Sequence, residues 1–272
     1  VFACATKETP LNPDRVVDCL YRWPVAKEVD ALSGCYQACG APCPFGHDFR
    51  CASAFTWQTG HAVVEHVVGF SKFSNKQPAV GLTVSACDVN DCESCTFPIA
   101  TTTTDAQGEA RLTLAVGVLG FRGCLYVTGP GYLTNLYYFG RPITRPEGNF
   151  HISIGEASLL TLVEKGLGIP VDPERGHVGV DIWDCLFEHA RGISFTLSTA
   201  DAATTPYYSV GSQVSLTATA TDASGNGGFL NVPPGDFVVT ARDETGKLVV
   251  QGKGRALAHV ITGVSLFSEA IP

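Results

Sequence analysis

From residue 61 onward, apolar and polar side chains alternate in short runs broken by turn residues. Val80-Gly81-Leu82-Thr83-Val84-Ser85-Ala86 and Arg111-Leu112-Thr113-Leu114-Ala115-Val116 keep the period of two that half-buried strands show. His61 to Phe70 and Cys124-Leu125-Tyr126-Val127-Thr128 are further β-rich runs, the second closed by the turn Gly129-Pro130-Gly131. The period changes once in this part of the chain. Between Glu156 and Gly166, Leu159, Val163 and Leu167 fall on one helical face with Leu160 beside them. Gly166 or Gly168 is expected to end that helix, with Lys165 suited to its C-terminal dipole and Pro170 and Pro173 barring continuation. The expected role is an interdomain linker helix whose apolar stripe packs on its neighbours. Residues 1–60 read differently. Val25, Val29, Leu32 and Tyr36 recur at helical spacing within an otherwise loop-rich, cysteine-rich stretch, so this segment is expected to be a disulfide-stapled arm.

The β pattern after the helix repeats the one before it. Val67-Val68-Gly69-Phe70 parallels Val178-Gly179-Val180-Asp181, and Thr104-Asp105-Ala106-Gln107-Gly108 parallels Thr221-Asp222-Ala223-Ser224-Gly225. In each Asp-x-x-Gly turn the carboxylate can accept backbone N–H bonds and the glycine can adopt positive φ. The expected organisation is an arm over 1–60, a first β-sandwich over 61–155, a linker helix and loop over 156–175, and a second β-sandwich over 176–272.

Composition narrows the function classes. The 272 residues are 45% hydrophobic and only 16% charged, against about 25% charged in a typical domain, which excludes a disordered chain. Glycine (29) and proline (16) fit a turn-rich β protein. A net charge of −8 lacks the basic footprint of a nucleic-acid binder. No apolar run reaches the ~18 residues of a transmembrane helix. The absence of methionine fits an exported chain trimmed of its leader. Val1-Phe2-Ala3-Cys4 resembles a lipobox, in which Cys4 would carry lipid; the plainer reading makes Cys4 a half-cystine.

Eleven cysteines point to an oxidising compartment: Cys4, Cys19, Cys35, Cys39, Cys43, Cys51, Cys87, Cys92, Cys95, Cys124 and Cys185. The odd number leaves at least one free, modified or bonded to another molecule, and Cys124 and Cys185, isolated in strand-like sequence, are the expected odd members. Cys35, Cys39, Cys43 and Cys51 with His47 offer soft metal ligands, but zinc pairs usually come as C-x₂-C and disulfides are the better reading. Cys87, Cys92 and Cys95 are expected in a loop closed by a local disulfide. Asp88, Asn90 and Glu93 there offer oxygen ligands for Ca²⁺, although the spacing is not that of an EF-hand and a solvated acidic loop is the plainer reading.

Thr221-Asp222-x-x-Gly225, then Gly228-Phe229-Leu230-Asn231-Val232-Pro233-Pro234-Gly235, then Phe237-Val238-Val239-Thr240-Ala241 resembles the carboxypeptidase-regulatory-like, transthyretin-like β-sandwich. The first copy, with Cys87-Asp88 and Gly129-Pro130-Gly131-Tyr132 ahead of Leu136-Tyr137-Tyr138, is similar to repeats of secreted surface proteins of myxobacteria-like bacteria. The resemblance covers residues 61–270 and implies a mainly β fold of two tandem transthyretin-like (Ig-like) sandwiches. It implies a non-catalytic structural, adhesive or ligand-binding role outside the cell. Enzymes with this sandwich have recognisable marks. The Tyr-Tyr pairs 137–138 and 207–208 lack the H-x-H companion of intradiol dioxygenases, and the C-terminal Phe267-Ser268-Glu269-Ala270-Ile271-Pro272 lacks the Tyr-Arg-Gly-Ser tail of transthyretin-like hydrolases.

The expectation is therefore a secreted, non-enzymatic structural protein with no cofactor or resident metal. It assembles at the bacterial cell surface as a homo-oligomer or polymer through the N-terminal arm, in the manner of a filament subunit. The alternative is a carbohydrate- or protein-binding module of a surface lipoprotein, with Tyr132, Tyr137 and Tyr138 as stacking residues for a glycan. Core or interdomain packing is the plainer role for those tyrosines.

Overall fold

A computed structural model describes residues 63–116, 120–144, 147–184, 188–211 and 213–267. The arm over 1–60 with its six cysteines, the helical spacing of residues 25–36, and Cys185 lie outside the described residues.

The chain is mainly β. Seven strands precede the helix: β1 (Val63–Lys72), β2 (Thr83–Asp88), β3 (Ala100–Thr103), β4 (Glu109–Ala115), β5 (Gly123–Thr128), β6 (Thr134–Tyr138) and β7 (Glu147–Ile154). Sheet β4-β1-β7 faces β6-β5-β2-β3, with β1 antiparallel to β4 and parallel to β7. The alternation explains the layering: in β4 the buried positions are Ala110, Leu112 and Leu114, which meet Val64, Val68 and Phe70 of β1 and Val84, Leu125 and Val127 of the opposite sheet.

Eight strands follow the helix: β8 (Gly176–Trp183), β9 (Ser194–Leu197), β10 (Thr205–Val210), β11 (Gln213–Ser215), β12 (Asn226–Val232), β13 (Gly235–Arg242), β14 (Leu248–Ala256) and β15 (Val260–Phe267). Sheet β11-β10-β12-β8-β15 faces β14-β13-β9 over a second apolar cluster that includes Val178, Ile182, Phe229, Val239 and Leu266. β8 lies between antiparallel β12 and parallel β15, as β1 lies between β4 and β7. The repeat is thus a repeat of topology. One strand breaks it: β3 pairs with β2, whereas β10, at the corresponding point in the chain, pairs with β12 in the other sheet.

The Thr-Asp-x-x-Gly turns recur in full. Asp105 Oδ1 accepts from the N–H of Gln107 (2.9 Å) and Glu109 (2.9 Å), and Asp222 Oδ1 accepts from that of Ser224 (2.8 Å). Gly108 and Gly225 take φ of +75° and +65°, and a Cβ on Gly108 would come within 2.4 Å of the Phe70 carbonyl oxygen. These turns also correct the sequence register. Gly69 lies opposite Glu109 and Asp181 opposite Asn226, the first residue after each turn, so Gly69 matches Asp181 and Val68 matches Val180. The sequence pairing of Val67–Phe70 with Val178–Asp181 is one residue out, a slip that exchanges the faces of a strand.

The helix α1 spans Leu159–Leu167, shorter than expected, and Gly168 closes it in the left-handed conformation. Leu159, Leu160, Val163 and Leu167 are only half-buried and Leu162 is 56% exposed, so the expected stripe is covered in part. Beyond α1 the linker is fastened to the second unit. Asn231 Nδ2 donates to the Pro170 carbonyl (2.9 Å), Asp172 N–H donates to Asn231 Oδ1 (3.0 Å), and Arg175 pairs with Asp201.

Candidate functional site: the junction between the units

β6 and β15 run side by side, parallel, from Thr134 opposite Val260 to Tyr138 opposite Val264. This pairing fuses two sheets into one of nine strands, in the order β11-β10-β12-β8-β15-β6-β5-β2-β3. The alternation of β6 divides its side chains between two cores. Tyr137 enters the first cluster, edge-on to Phe150 at 5.5 Å, while Leu136 and Tyr138 turn toward the second unit. The close approach needs a glycine: a Cβ on Gly263 would sit 2.5 Å from Tyr137 Cδ2.

Two kinds of contact hold the junction. The first is polar. Ser265, fully buried on β15, donates to Asp181 Oδ2 on β8 (2.6 Å). Trp183 Nε1 donates to the same oxygen (2.5 Å), and Tyr137 from the first unit donates to Asp181 Oδ1 (3.3 Å). Tyr137 and Ser265 also share a hydrogen bond between their hydroxyls. Burial pushes the Asp181 carboxyl up from its ordinary range, and the hydroxyl and indole donors oppose that rise. Burial, followed by the Asp181 charge, raises the Tyr137 phenol well above 10. His189, tilted against Trp183 at 3.8 Å between centroids, is held down by burial against the pull of Asp181.

The second kind is apolar, and it is backed by two disulfides within the first unit. Cys87, Cys92, Cys124, Leu136 and Val260 form a separate buried cluster between the units, with Tyr126, Tyr138 and Leu257 against it. Cys87 on β2 and Cys124 on β5 are register partners, yet each bonds to the intervening loop: Cys87 to Cys95 and Cys124 to Cys92, with Cα–Cα distances of 5.5 and 5.9 Å. The expectation of an unpaired Cys124 is therefore corrected. Its apparent isolation came from sequence distance, since its partner lies 32 residues upstream. At the rim Arg255 bridges Glu93 of that loop and Asp236 of the second unit, both at 3.1 Å. Beside it lies an open cleft of about 500 Å³, lined by Asn90, Glu93, Tyr138, Asp236, Lys253 and Arg255 among others.

The sequence candidates are dispersed by this geometry. Tyr137 is 7% exposed and its ring is packed by protein, Tyr138 is half-buried over the second unit, and Tyr132 is half-buried beside a bridge to Glu156. They do not form one platform. Tyr208 is buried, its hydroxyl accepting from Phe195 N–H at 2.8 Å. The oxygen atoms considered for Ca²⁺ are engaged elsewhere: Asp88 Oδ1 takes both the backbone and side-chain N–H of Asn90, and Glu93 pairs with Arg255. Among the described residues no three His, Cys, Asp or Glu side chains converge on a metal position. Nor, among those residues, is any helix long and apolar enough to cross a membrane. Asp181 and Ser265 escaped the sequence reading. Their signal is a polar residue on the alternating strands Val178-Gly179-Val180-Asp181-Ile182-Trp183 and Val264-Ser265-Leu266-Phe267.

No protein-family profile matches the chain, and no curated protein matches it. Among solved structures it is similar to the shaft pilin SpaA of Lactobacillus rhamnosus GG (13% identity, 77% of this chain and 99% of that one, TM-score 0.26). It is similar to a streptococcal ancillary pilin (14% identity, 77% and 70%, TM-score 0.24) and to the TIE protein of Bacillus anthracis (10% identity, 76% of this chain, TM-score 0.25). The matched part spans about a third of the TIE protein, 34% of its length. Superpositions this loose carry no residue and no role across.

Proposed function

We propose that this chain is a secreted, non-enzymatic structural protein that assembles at the bacterial cell surface. The observation that carries the reading is the nine-stranded sheet, which passes from one sandwich to the other without a flexible connection. A binding module needs no such fusion, because a tether suffices to present a site. A subunit that must keep its two halves in line gains from backbone pairing, a buried polar cluster and disulfides at the joint. The polar groups of the junction serve this reading: Asp181 receives three donors from three strands, so its carboxylate is engaged in holding them together. The 11 cysteines support an oxidising compartment, and their odd number favours a covalent tie to a neighbour, with the arm over 1–60 as its carrier.

Negative-stain electron microscopy of the full chain in non-reducing buffer tests the reading. Regular linear or closed assemblies are expected, with dissociation or loosening on reduction. Uniform single particles at every accessible concentration would contradict it.

A further inference from the structure

Among the described residues the nine-stranded sheet has two unpaired end strands, β3 and β11, and they differ from the other sheet edges. The edge strand β14 carries Lys253 and Arg255. Residues 83 and 194 follow the two residues whose N–H groups bind the repeat threonines, so Thr128 matches Arg242, Leu125 matches Val239, and Tyr138 matches Lys253. Where β6 has an aromatic ring for its neighbour, β14 thus has a lysine, a substitution that guards an edge against pairing. β4 carries Glu109 and Arg111, and β7 carries the polar ring of His151. The two end strands of the long sheet carry no charge: β3 is Ala-Thr-Thr-Thr and β11 is Gln-Val-Ser.

Exposed apolar side chains gather at these same ends. Phe97 is 80% exposed and Ile99 42% on the segment leading into β3, and Val210 is 49% and Leu216 38% exposed on either side of β11. With Val89, at the start of the same loop, they make five of the ten large apolar side chains exposed among the described residues. β9 is uncharged too, but none of the ten adjoins it in sequence. Phe97 is held in place: its N–H donates to Asp91 Oδ2 (2.8 Å), and the Cys87–Cys95 bond clips the loop. A preset apolar group at an uncharged strand edge is suited to association, because little ordering remains to be done on contact.

We propose that the occupant of these edges is a second copy of this chain, with the β3 end of one molecule meeting the β11 end of the next. This rests on the structural reading above and names its contact. The argument is continuity with the internal joint: the molecule already builds this sheet by bringing an edge of one repeat to an edge of the other, through β6 and β15. The two surfaces are different, so the contact is heterologous. Unless the rotation between copies closes a ring, it propagates as a filament.

The experiment replaces Phe97 with the photo-cross-linker p-benzoylphenylalanine in the full chain. Unlabelled and ¹⁵N-labelled protein are mixed, irradiated and mapped by mass spectrometry. Cross-links from position 97 to residues 210–216 in mixed-isotope pairs are expected. A double variant, Phe97→Lys with Ile99→Lys, should raise the concentration of half-association about tenfold or more with the circular dichroism unchanged. Association with inter-chain cross-links elsewhere, or an unaltered double variant, overturns this contact and leaves the structural reading standing. A chain that never associates overturns both.

Discussion

His66 sits on β1 with its ring wholly enclosed, 5.2 Å from the Phe139 ring centroid, and among the described residues neither ring nitrogen has a hydrogen-bond partner. Burial, then the Arg141 charge, lowers its pKa from 6.5 to about 4. His177, 5% exposed, is lowered to about 4 by burial and then by His259. A histidine depressed in the folded state is neutral there while the unfolded chain takes up the proton. Its contribution is therefore complete above pH 6.5 and is lost as pH falls toward 4, about 3 kcal/mol for a fully buried ring. Urea titrations at pH 7 and pH 4.5 should show this loss; equal midpoints would refute it. The register places Val178 where the first unit has His66. His66→Val should then raise stability by about 1–3 kcal/mol, most at acid pH, by removing two unpaired buried nitrogens. Asp181→Ala should do the reverse, costing about 1–3 kcal/mol because Ser265, Trp183 and Tyr137 lose their common acceptor. Calorimetry of the two variants reads both signs.

At the scale of elements, the repeat threonine ties each turn to the connection that crosses between the sheets, β1 to β2 in the first unit and β8 to β9 in the second. Thr104 Oγ1 donates to the Ala79 carbonyl (2.7 Å) and accepts from Leu82 N–H (2.9 Å). Thr221 Oγ1 donates to the Ala190 carbonyl (2.8 Å) and accepts from Ile193 N–H (3.1 Å). Thr221→Val keeps the shape and strands both backbone groups, so a loss of about 1–3 kcal/mol is expected by chemical denaturation. An unchanged midpoint would mean that water replaces the hydroxyl. Removing the longer disulfide by Cys92→Ala with Cys124→Ala should cost about 2–4 kcal/mol, whereas unfolding at the parent midpoint would assign the bond no part in holding the loop. Strand alternation, the Asp-x-x-Gly turns and the glycine end of α1 were all legible in the sequence, because each is written in residues close together. Another such turn, Asp243 to Gly246 with Gly246 at φ +82°, was equally legible and passed unnoticed. The β6–β15 pairing was not legible. It joins residues more than a hundred apart, and parallel pairing leaves no turn signature between its strands. The move of β10 to the opposite sheet and the partner of Cys124 were hidden too, because each depends on residues that are not neighbours in sequence.

For the whole molecule, the continuous sheet turns two sandwiches into one body, and the linker clamp at Asn231 and Arg175 removes the slack that a chain of glycines and prolines would otherwise allow. Tyr137 and Tyr138 are at the joint, so the aromatic pair takes the packing role that the sequence offers as the plainer one, and the glycan platform is not formed. In the proposed function this body is a subunit of something larger. Sedimentation velocity of the full chain in non-reducing buffer, over a wide range of concentration, should then show species that grow with concentration beyond a dimer. A single monomer boundary at every concentration would contradict it.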